Sequence, residues 1–339
     1  MSLKMKNILF LSIVVAASTL LYWTGTFAEG PKGREGLDGS PALSNDGEEI
    51  AFPHYEDGEA TLYTAAADGG EAEQLLERET RQSFVRPAYS PDNSKLLYIK
   101  EWRVEGKPYS QLMMYDFDKQ QSQPLKDQDH YIREAIFSPD GKSIYLVKAD
   151  GYVDQPDGDG VIPDGYDVYQ MNRSTYETEQ LTNEGNYNLS SLSTSKKGDH
   201  LVYSLYNGED LIQQLNVNNK KIKTIMPEPG YESGAGEAPI INSPSNAPDG
   251  ETIAFSDVAH SRDNGTFQYE VFTMTTEGED VVQVTNFHEH VSEPVFYPDG
   301  NDLLVSVDRN FAGRDPDYEY WKVSGDGKER KEIIVEIPE

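Results

Sequence analysis

The sequence predicts an all-β fold, and within that class a six-bladed β-propeller of four-stranded antiparallel blades. Three observations carry this prediction: a short turn phrase occurs six times, an alternating apolar segment follows the turns, and a hairpin module comes later in the repeat. The residues that close successive turns lie 46 to 57 positions apart in a chain of 339 residues. Repeats of this length are typical of propellers and solenoids.

The turn phrase reads apolar-Ser-Pro-Asp-Gly in its clearest copy, Phe137-Ser138-Pro139-Asp140-Gly141. Proline presets φ for a turn, aspartate can hydrogen-bond its own backbone two residues on, and glycine adopts the positive φ that closes the reversal. The six copies end at Gly47, Asn93, Gly141, Gly198, Gly250 and Gly300. Their aspartates are therefore predicted to be structural.

The strands of one blade follow from the segments around each turn. Residues 49–52, 96–99, 144–147 and 253–256 alternate between the two faces of a strand. Later in the repeat, residues 62–75, 168–182 and 271–285 form a second module with turn residues in its middle, such as 68–70 and 277–279, which indicates a hairpin. Four antiparallel strands for each repeat make one propeller blade.

This repeat, with Ser-Pro-Asp-Gly between the first two strands and Gln-Leu-Thr-like residues such as 180–182 in the fourth, resembles the TolB-like six-bladed β-propellers. The resemblance covers the chain from about Ser40 to its C-terminus. It implies a scaffold that related proteins use as a periplasmic binding platform, as the non-catalytic domain of serine peptidases, or as a polysaccharide lyase. A fold of this kind does not by itself define a function.

The N-terminal segment predicts export. Lys4 and Lys6 precede an apolar run over residues 8–21, and Thr26 and Ala28 are placed for cleavage before residue 29. We therefore divide the chain into a signal peptide or N-terminal anchor (1–28), a linker (29–39) and the propeller (40–339). The predicted location is extracytoplasmic, meaning secreted, periplasmic or associated with the cell envelope. The absence of cysteine excludes disulfides, cysteine-linked lipid and thiolate metal sites.

The charge of the chain limits its partners. With 59 acidic against 29 basic residues, the formal net charge is −30. An overall basic surface for nucleic acid is excluded, because phosphate contacts need clustered lysine and arginine. The same charge repels anionic lipid, so membrane contact is expected only if the N-terminal segment is retained. A protein or a cell-envelope component is the predicted partner.

The long loops of the predicted propeller lie on one face, which we call the long-loop face. They join second to third strands, or one blade to the next. The segments are 79–85, 101–107, 151–165, 227–240, 260–266, 286–291 and 309–317. Binding residues concentrate on loops held by a rigid scaffold, so this face is the predicted working face.

One position in each blade, four residues before the serine of the turn phrase, is predicted to line the channel mouth. The six are Ser40, Arg86, Glu134, Ser191, Ser243 and Glu293, and the smaller, more apolar set Pro41, Pro87, Ala135, Leu192, Pro244 and Pro294 follows them. A polar ring above an apolar one suits a ligand site. The predicted binding residues are Arg86, Glu134, Ser191, Ser243 and Glu293 of this ring, with Arg133, His130, His288 and His290 nearby. The alternative is a ring solvated by channel water.

Two metal sites are considered. His288 and His290 are two residues apart, so on an extended segment they could ligate a metal such as zinc; the alternative is a solvated pair. In the insertion over residues 154–167, alternating carboxylates before glycine resemble a calcium loop. Asp157, Asp159 and Asp164 are the predicted ligands. Gln155 and Tyr166 occupy positions where carboxylates belong, and the alternative is an acidic hairpin tip.

Enzyme signatures are absent from the sequence: it contains no Gly-x-Ser-x-Gly elbow and no His-Glu-x-x-His. Two hypotheses follow, a non-catalytic binding propeller that acts over the long-loop face, and a metal-assisted hydrolase or lyase that acts on extracellular carbohydrate or peptide at the channel mouth. Convergence of three or more of His130, His288, His290, Glu134 and Glu293 would favour the enzyme. Scatter would favour the binding protein.

The ring is expected to close without strand exchange. The first blade has four strands within residues 40–76, and the last has four within 293–337, with 331–337 as the outer one. No strand remains to be shared between the two. We therefore expect closure by packing between the first and last blades.

Overall fold

The computed structural model describes residues 33–125, 130–155, 160–236, 238–262, 264–313 and 315–338. These ranges form 27 strands and no helix, and therefore no apolar helix of membrane-spanning length. The predicted signal peptide or anchor lies outside the described residues, as do Asp157 and Asp159 of the predicted calcium loop.

The strands group in chain order into antiparallel units around a central channel, of which the second, third and fourth are four-stranded sheets. The first unit contains β1 (Gly36–Leu37), β2 (Ala42–Leu43), β3 (Glu49–Glu56), β4 (Glu59–Ala66), β5 (Gly70–Glu71) and β6 (Glu73–Gln74). The second contains β7 (Gln82–Tyr89), β8 (Lys95–Val104), β9 (Lys107–Asp116) and β10 (Gln121–Pro124). The third contains β11 (Ile132–Phe137), β12 (Ser143–Asp154), β13 (Val161–Asn172) and β14 (Thr178–Gln180).

The remaining strands repeat this order. The fourth unit contains β15 (Asn188–Thr194), β16 (His200–Tyr206), β17 (Asp210–Asn216) and β18 (Ile222–Ile225). The fifth contains β19 (Asn242–Asn246), β20 (Thr252–Ser261), β21 (Phe267–Thr275) and β22 (Val282–Gln283). The sixth contains β23 (His290–Phe296), β24 (Asp302–Asp308), β25 (Tyr318–Ser324) and β26 (Arg330–Ile333), and β27 (Val335–Glu336) follows it.

The pairing of these strands confirms an all-β propeller ring of four-stranded antiparallel sheets. It differs from six separate four-stranded sheets at the junction of the fifth and sixth units, in the first unit, and where β27 pairs with β5. A single parallel pair, Tyr269 with His290, joins the fifth and sixth units into one eight-stranded sheet. In the first unit, β1 and β2 both pair with β3, so the innermost strand is split in two.

The core of the described chain lies between neighbouring units. Six hydrophobic clusters occur there, and each draws its main members from two consecutive units. Their largest fully buried side chains include Tyr98, Tyr203 and Phe255. Burial of one such side chain stabilises the fold by about 1.5–3 kcal/mol. The cluster around Phe52 and Tyr320 joins the first unit to the last.

The repeated turn phrase is structural, as predicted. The Ser138 hydroxyl donates to Asp140 at 2.7 Å and accepts the backbone N–H of Ser143 at 2.9 Å. Gly141 closes the turn with φ of 68°, and Asn93 does the same with φ of 56°. The serine and the aspartate thus hold the reversal, while the final residue supplies the left-handed conformation.

Ring closure differs from the prediction, because strand pairing contributes to it. The C-terminal strand β27 leaves the last unit and pairs in parallel with β5 of the first. Gly70 N donates to Ile334 O at 2.8 Å, and Ala72 N donates to Glu336 O at 2.9 Å. Gly36 of the predicted 29–39 linker belongs to β1, so part of that linker is a strand of the first unit.

Candidate ligand-binding channel

The predicted ring lies where two cavities of the central channel meet. A cavity of about 610 Å³ opens toward the long-loop face, and one of about 260 Å³ lies toward the turns. We call the first the mouth cavity, and we call the six ring residues the waist. The waist residues Ser40, Arg86, Ser191, Ser243 and Glu293 line both cavities, and Glu134 lines the turn-side one. All six residues of the apolar set line the turn-side cavity.

The backbone turns the waist side chains into the channel. Arg86, Ser191, Ser243 and Glu293 have positive φ of 55°, 59°, 50° and 50°. In the second, fourth, fifth and sixth units the register of the innermost strand shifts at the waist position, as a β-bulge produces. In the third unit it shifts at Arg133, one residue before Glu134. In the first unit the break between β1 and β2 includes Ser40. Bulges re-aim side chains and are frequent beside functional sites.

Hydrogen bonds hold the waist side chains in place. Arg86 Nη1 donates to Ser40 Oγ at 2.9 Å, and Ser243 Oγ donates to Glu293 Oε1 at 3.2 Å. Glu134 accepts the backbone N–H of Leu192. Among the described residues, no carboxylate lies within ion-pairing distance of the Arg86 guanidinium, which interacts with its acidic neighbours only at longer range.

Burial and charge shift the pKa values at the waist. Burial raises the pKa of Glu134, and the guanidinium of Arg86 only partly offsets this. Burial likewise raises the pKa of Glu293. Burial alone would lower the pKa of Arg86, but Glu293 and Glu134 hold that pKa above its usual value. The waist therefore combines a permanent cation with two carboxyl groups whose ionised forms are disfavoured by burial.

Arginine and tyrosine side chains surround the mouth cavity. Arg34 stacks on Tyr55 with its guanidinium carbon 3.9 Å from the ring centroid, and it pairs with Asp38 at 3.1 Å. Tyr131 Oη donates to Glu101 at 2.7 Å. These side chains present a fixed, polar surface to anything that enters from the long-loop face.

The predicted binding residue Arg133 also lines the mouth cavity. It donates to the Asn188 side chain and to Leu189 O, and its guanidinium lies 4.7 Å from the Tyr166 ring centroid. These contacts hold the side chain in position while leaving it at the cavity wall.

Sequence reasoning did not single out two residues of the second strands, Tyr55 and Glu101, as binding residues, although the predicted long-loop segment 101–107 begins at Glu101. Tyr55 and Glu101 both line the mouth cavity, and each stands eight residues after the residue that closes its turn, Gly47 or Asn93. The repeat spacing that located the waist could therefore have located these two residues. Arg34 and Tyr318 also line this cavity. They fall outside the repeated phrase, so that spacing gave no signal for them.

The histidines predicted near the channel are scattered. His130 is exposed and lines neither cavity, and His288 stacks on His260 with ring centroids 5.5 Å apart. His290 does line the mouth cavity, where it stacks on Phe311 at 3.9 Å. Burial lowers the pKa of His290 to about 4. Of the three histidines, His290 alone reaches the channel that Glu134 and Glu293 line.

The described chain contains no group of three or more histidine, aspartate or glutamate side chains placed to hold a metal. Of the predicted calcium ligands, Asp164 belongs to β13 and lies opposite Gly151. It is three residues from Val161, which forms the last strand pair before the hairpin tip, a separation of about 10 Å along a strand. Asp167 is buried and accepts hydrogen bonds from Thr182 and from the backbone of Glu184.

The ring of sheets and its lined channel define this molecule as a β-propeller, and solved structures support a closer description. TolB from Acinetobacter baumannii matches with a TM-score of 0.58 and 19% identity, over 91% of this chain and 66% of that one. A putative TolB from Agrobacterium tumefaciens matches with a TM-score of 0.57 and 16% identity, over 77% and 83%. An oligogalacturonate lyase from Vibrio parahaemolyticus matches with a TM-score of 0.52 and 11% identity, over 86% and 90%.

The fold is therefore that of a TolB-like β-propeller, and the resemblance inferred from the repeats is confirmed at the level of the fold. The chain spans just under two thirds of the length of the Acinetobacter baumannii protein. Neither a protein-family model nor a curated protein sequence matches the chain.

Proposed function

We propose that this protein is a non-catalytic binding propeller that takes a protein or a cell-envelope component through the long-loop mouth of its channel. The observation that carries the proposal is the mouth cavity of about 610 Å³, which is lined by side chains fixed in hydrogen bonds and stacking contacts. Preformed concave sites with a few placed polar groups are the usual form of a binding site. We count the ring as six-bladed, with the eight-stranded sheet as two blades, since six core clusters separate consecutive units.

The arrangement of the titratable groups supports binding over catalysis. A metal-assisted hydrolase or lyase needs a convergent set of ligands and an acid or base at one point. Among the described residues, His130 and His288 lie away from the cavities that Glu134 and Glu293 line. The scatter of these side chains favours the binding hypothesis.

The proposed location is extracytoplasmic. It rests on the charged and apolar pattern of residues 1–28 in the sequence and on the TolB-like fold. The net charge of −30 disfavours nucleic acid and anionic lipid as ligands, so a protein or an uncharged or basic envelope component is the expected partner.

The test is capture of partners from a native envelope extract by the purified full chain, followed by cross-linking and mass spectrometry. Glu101→Arg reverses a charge at the mouth cavity, and Glu251→Arg makes the same change at an exposed position beside a Pro-Asp-Gly turn. We expect Glu251→Arg to capture the same partner as the unmodified protein, and Glu101→Arg to lose at least tenfold in affinity. Loss only with Glu251→Arg would contradict binding at the mouth.

A second candidate, a lyase acting on extracellular carbohydrate, draws on the fold shared with the Vibrio parahaemolyticus enzyme. It is tested by incubating the protein with oligogalacturonate, with and without a divalent metal, and following the ultraviolet absorbance of an unsaturated product. The binding proposal expects no turnover. Turnover abolished by Glu134→Gln would establish the enzyme instead.

A further inference from the structure

The waist carries two half-buried carboxylates, Glu134 and Glu293, and neither forms an ion pair among the described residues. Glu293 accepts a hydrogen bond from Ser243, and Glu134 accepts one from the Leu192 backbone. The nearby guanidinium of Arg86 donates instead to Ser40. Buried carboxylates are normally paired with a cation or fully hydrogen-bonded, because desolvation of an unpaired charge is costly.

The charges that line the channel do not balance. The charged side chains on its two cavities are Arg34, Arg86, Arg133, Asp38, Glu101, Glu134 and Glu293. With all four carboxylates ionised, this set has one excess negative charge. Arg34 and Asp38 neutralise each other at 3.1 Å, so the excess is not placed there. It remains with the carboxylates at the waist and at Glu101.

We propose that the waist is a subsite for a single primary ammonium group, a lysine side chain or the amino terminus of a protein ligand, held between Glu134 and Glu293. An ammonium carries three N–H donors. Glu134 and Glu293 can each accept one, and so can the Ser191 hydroxyl, which lines the same cavity. This inference rests on the proposed binding at the channel mouth and specifies what enters it.

An ammonium suits this site better than the alternatives. Lysine places a compact charge at the end of a flexible four-carbon stem, which can pass through the mouth cavity and reach the waist, whereas arginine presents a broad planar fork. An anion would meet Arg86, but it would also meet two carboxylates inside a protein of net charge −30. The positive φ of Glu293 keeps its side chain directed into the channel before any ligand arrives.

Binding should depend on pH in a defined sense. Burial raises the pKa of Glu134, which faces Arg86, Glu293 and Arg133, and burial raises the pKa of Glu293, which faces Arg86 and Asp38. Protonation of either carboxyl group removes an acceptor and a charge. The affinity for an ammonium is therefore expected to fall as the pH is lowered through these raised pKa values.

The experiment compares three probes of one shape, hexylammonium, hexanol and hexanoate, by calorimetry and ligand-observed NMR with the full chain. We expect hexylammonium to bind at least tenfold more tightly than hexanol or hexanoate. Glu134→Gln and Glu293→Gln should each weaken it at least tenfold. Glu77→Gln, which makes the same change at an exposed loop position, should leave it unchanged.

Two results would overturn the proposal. Tighter binding of hexanoate than of hexylammonium would make the waist an anion site centred on Arg86. Equal losses of hexylammonium affinity in Glu77→Gln and in the waist variants would show that the ligand is attracted by the acidic surface in general. The comparison of the three probes uses the unmodified protein, so its result does not depend on whether the variants fold. Partner capture sensitive to Glu101→Arg can succeed while this test fails, so the two proposals are separable.

Discussion

At the scale of single residues, the unusual feature is the left-handed backbone at four waist positions that are not glycine. Arg86, Ser191, Ser243 and Glu293 all adopt it, although an L-residue pays about 1–2 kcal/mol for this conformation. Glycine would remove the strain and also the side chain. Strain of this kind persists where the surrounding fold fixes it, and it concentrates at functional sites.

Ser191 provides a measure of that strain. Ser191→Gly should be more stable than Ser191→Ala by about 1 kcal/mol, because only glycine adopts positive φ without steric cost. At Ser193, two positions along β15 and without positive φ, the order should reverse by roughly 0.5–1 kcal/mol. Denaturant unfolding of the four variants measures both differences. If glycine and alanine ranked in the same order of stability at both positions, the proposed backbone strain at Ser191 would be contradicted.

The half-buried carboxyl group of Glu293 should make stability depend on pH. Because burial raises its pKa, the folded state holds this proton more tightly than the unfolded chain does. The stabilisation by protonated Glu293 is thus complete at pH values below 4.5, the pKa of this carboxyl group in the unfolded chain. It is lost as the pH rises through the raised pKa of the folded state. We expect Glu293→Gln to melt progressively higher than the unmodified protein as the pH is raised. Glu77→Gln should show a flat difference, and a flat difference for both would contradict the assignment.

The waist was predictable from the sequence, whereas its conformation was not. Counting back from the turn serine located all six residues, because each repeat places its innermost strand at the same height. The positive φ at Arg86 and Glu293 accompanies register shifts against the second strand. It could not be predicted from the residue type, because neither arginine nor glutamate favours this conformation. His288 and His290 contact different partners, His260 and Phe311, because spacing along an extended segment assumes a regular strand, while His288 itself has positive φ of 59°.

At the scale of elements, the fourth strand is secured by a buried carboxylate. Thr182 Oγ1 donates to Asp167 at 2.6 Å and accepts the N–H of Val168 at 2.9 Å. In the fifth unit Thr285 and Glu270 repeat this contact at 2.6 Å. The threonine of the Gln-Leu-Thr-like strand therefore fastens the outer strand to the third. Asp167, at the end of the 154–167 insertion, belongs to this framework.

The hairpin of β12 and β13 carries the proposed calcium loop, for which Asp157, Asp159 and Asp164 were the predicted ligands. Calcium that binds only the folded state should stabilise the protein by about 2.7 kcal/mol at a hundredfold excess over the dissociation constant. The melting temperature should then rise with millimolar calcium, and Asp157→Ala with Asp159→Ala should abolish the rise. Asp164→Ala should matter less, since Asp164 lies opposite Gly151 in the paired strands. Equal melting curves in calcium and in chelator would contradict calcium binding and would support the alternative of an acidic hairpin tip.

At the scale of the whole molecule, the ring is joined on several levels. The first and last units share a hydrophobic cluster, the pairing of β5 with β27, and a hydrogen bond from Tyr320 Oη to Asp38 O at 2.6 Å. The turns also meet: a Cβ on Gly47 would lie 2.9 Å from Pro298 of the last unit. The junction between the chain's two ends is therefore built like the other interfaces and has an added strand.

Truncation after Ile333 tests that added strand. It removes two backbone hydrogen bonds and the partly buried Val335 and Ile337, so unfolding should become easier by roughly 2–4 kcal/mol. Truncation after Ile337 keeps β27 and serves as the control. Hydrogen exchange should show faster opening of the first and last units only in the shorter chain. Identical unfolding of both truncations would mean that packing alone closes the ring.

The order of the strands was predictable because each repeat is one supersecondary unit with its own turn signal. The pairing of β27 with the first unit was not predictable, because the sequence of Val335 and Glu336 is equally compatible with a continuation of the outer strand of the last unit. Which sheet they join depends on the free edge of β5, a property of the closed ring. The parallel bridge between Tyr269 and His290 is likewise a tertiary contact without a local pattern.

The bulged waist is also distinct from the parts of the protein that hold the fold together. The left-handed positions orient their side chains through the backbone, and the blade cores lie elsewhere, in clusters between the sheets. Exchanging the six waist residues should therefore change what the channel selects while leaving the architecture intact. Evolution or engineering can therefore vary these six positions, three serines and three charged residues, without changing the scaffold that carries them.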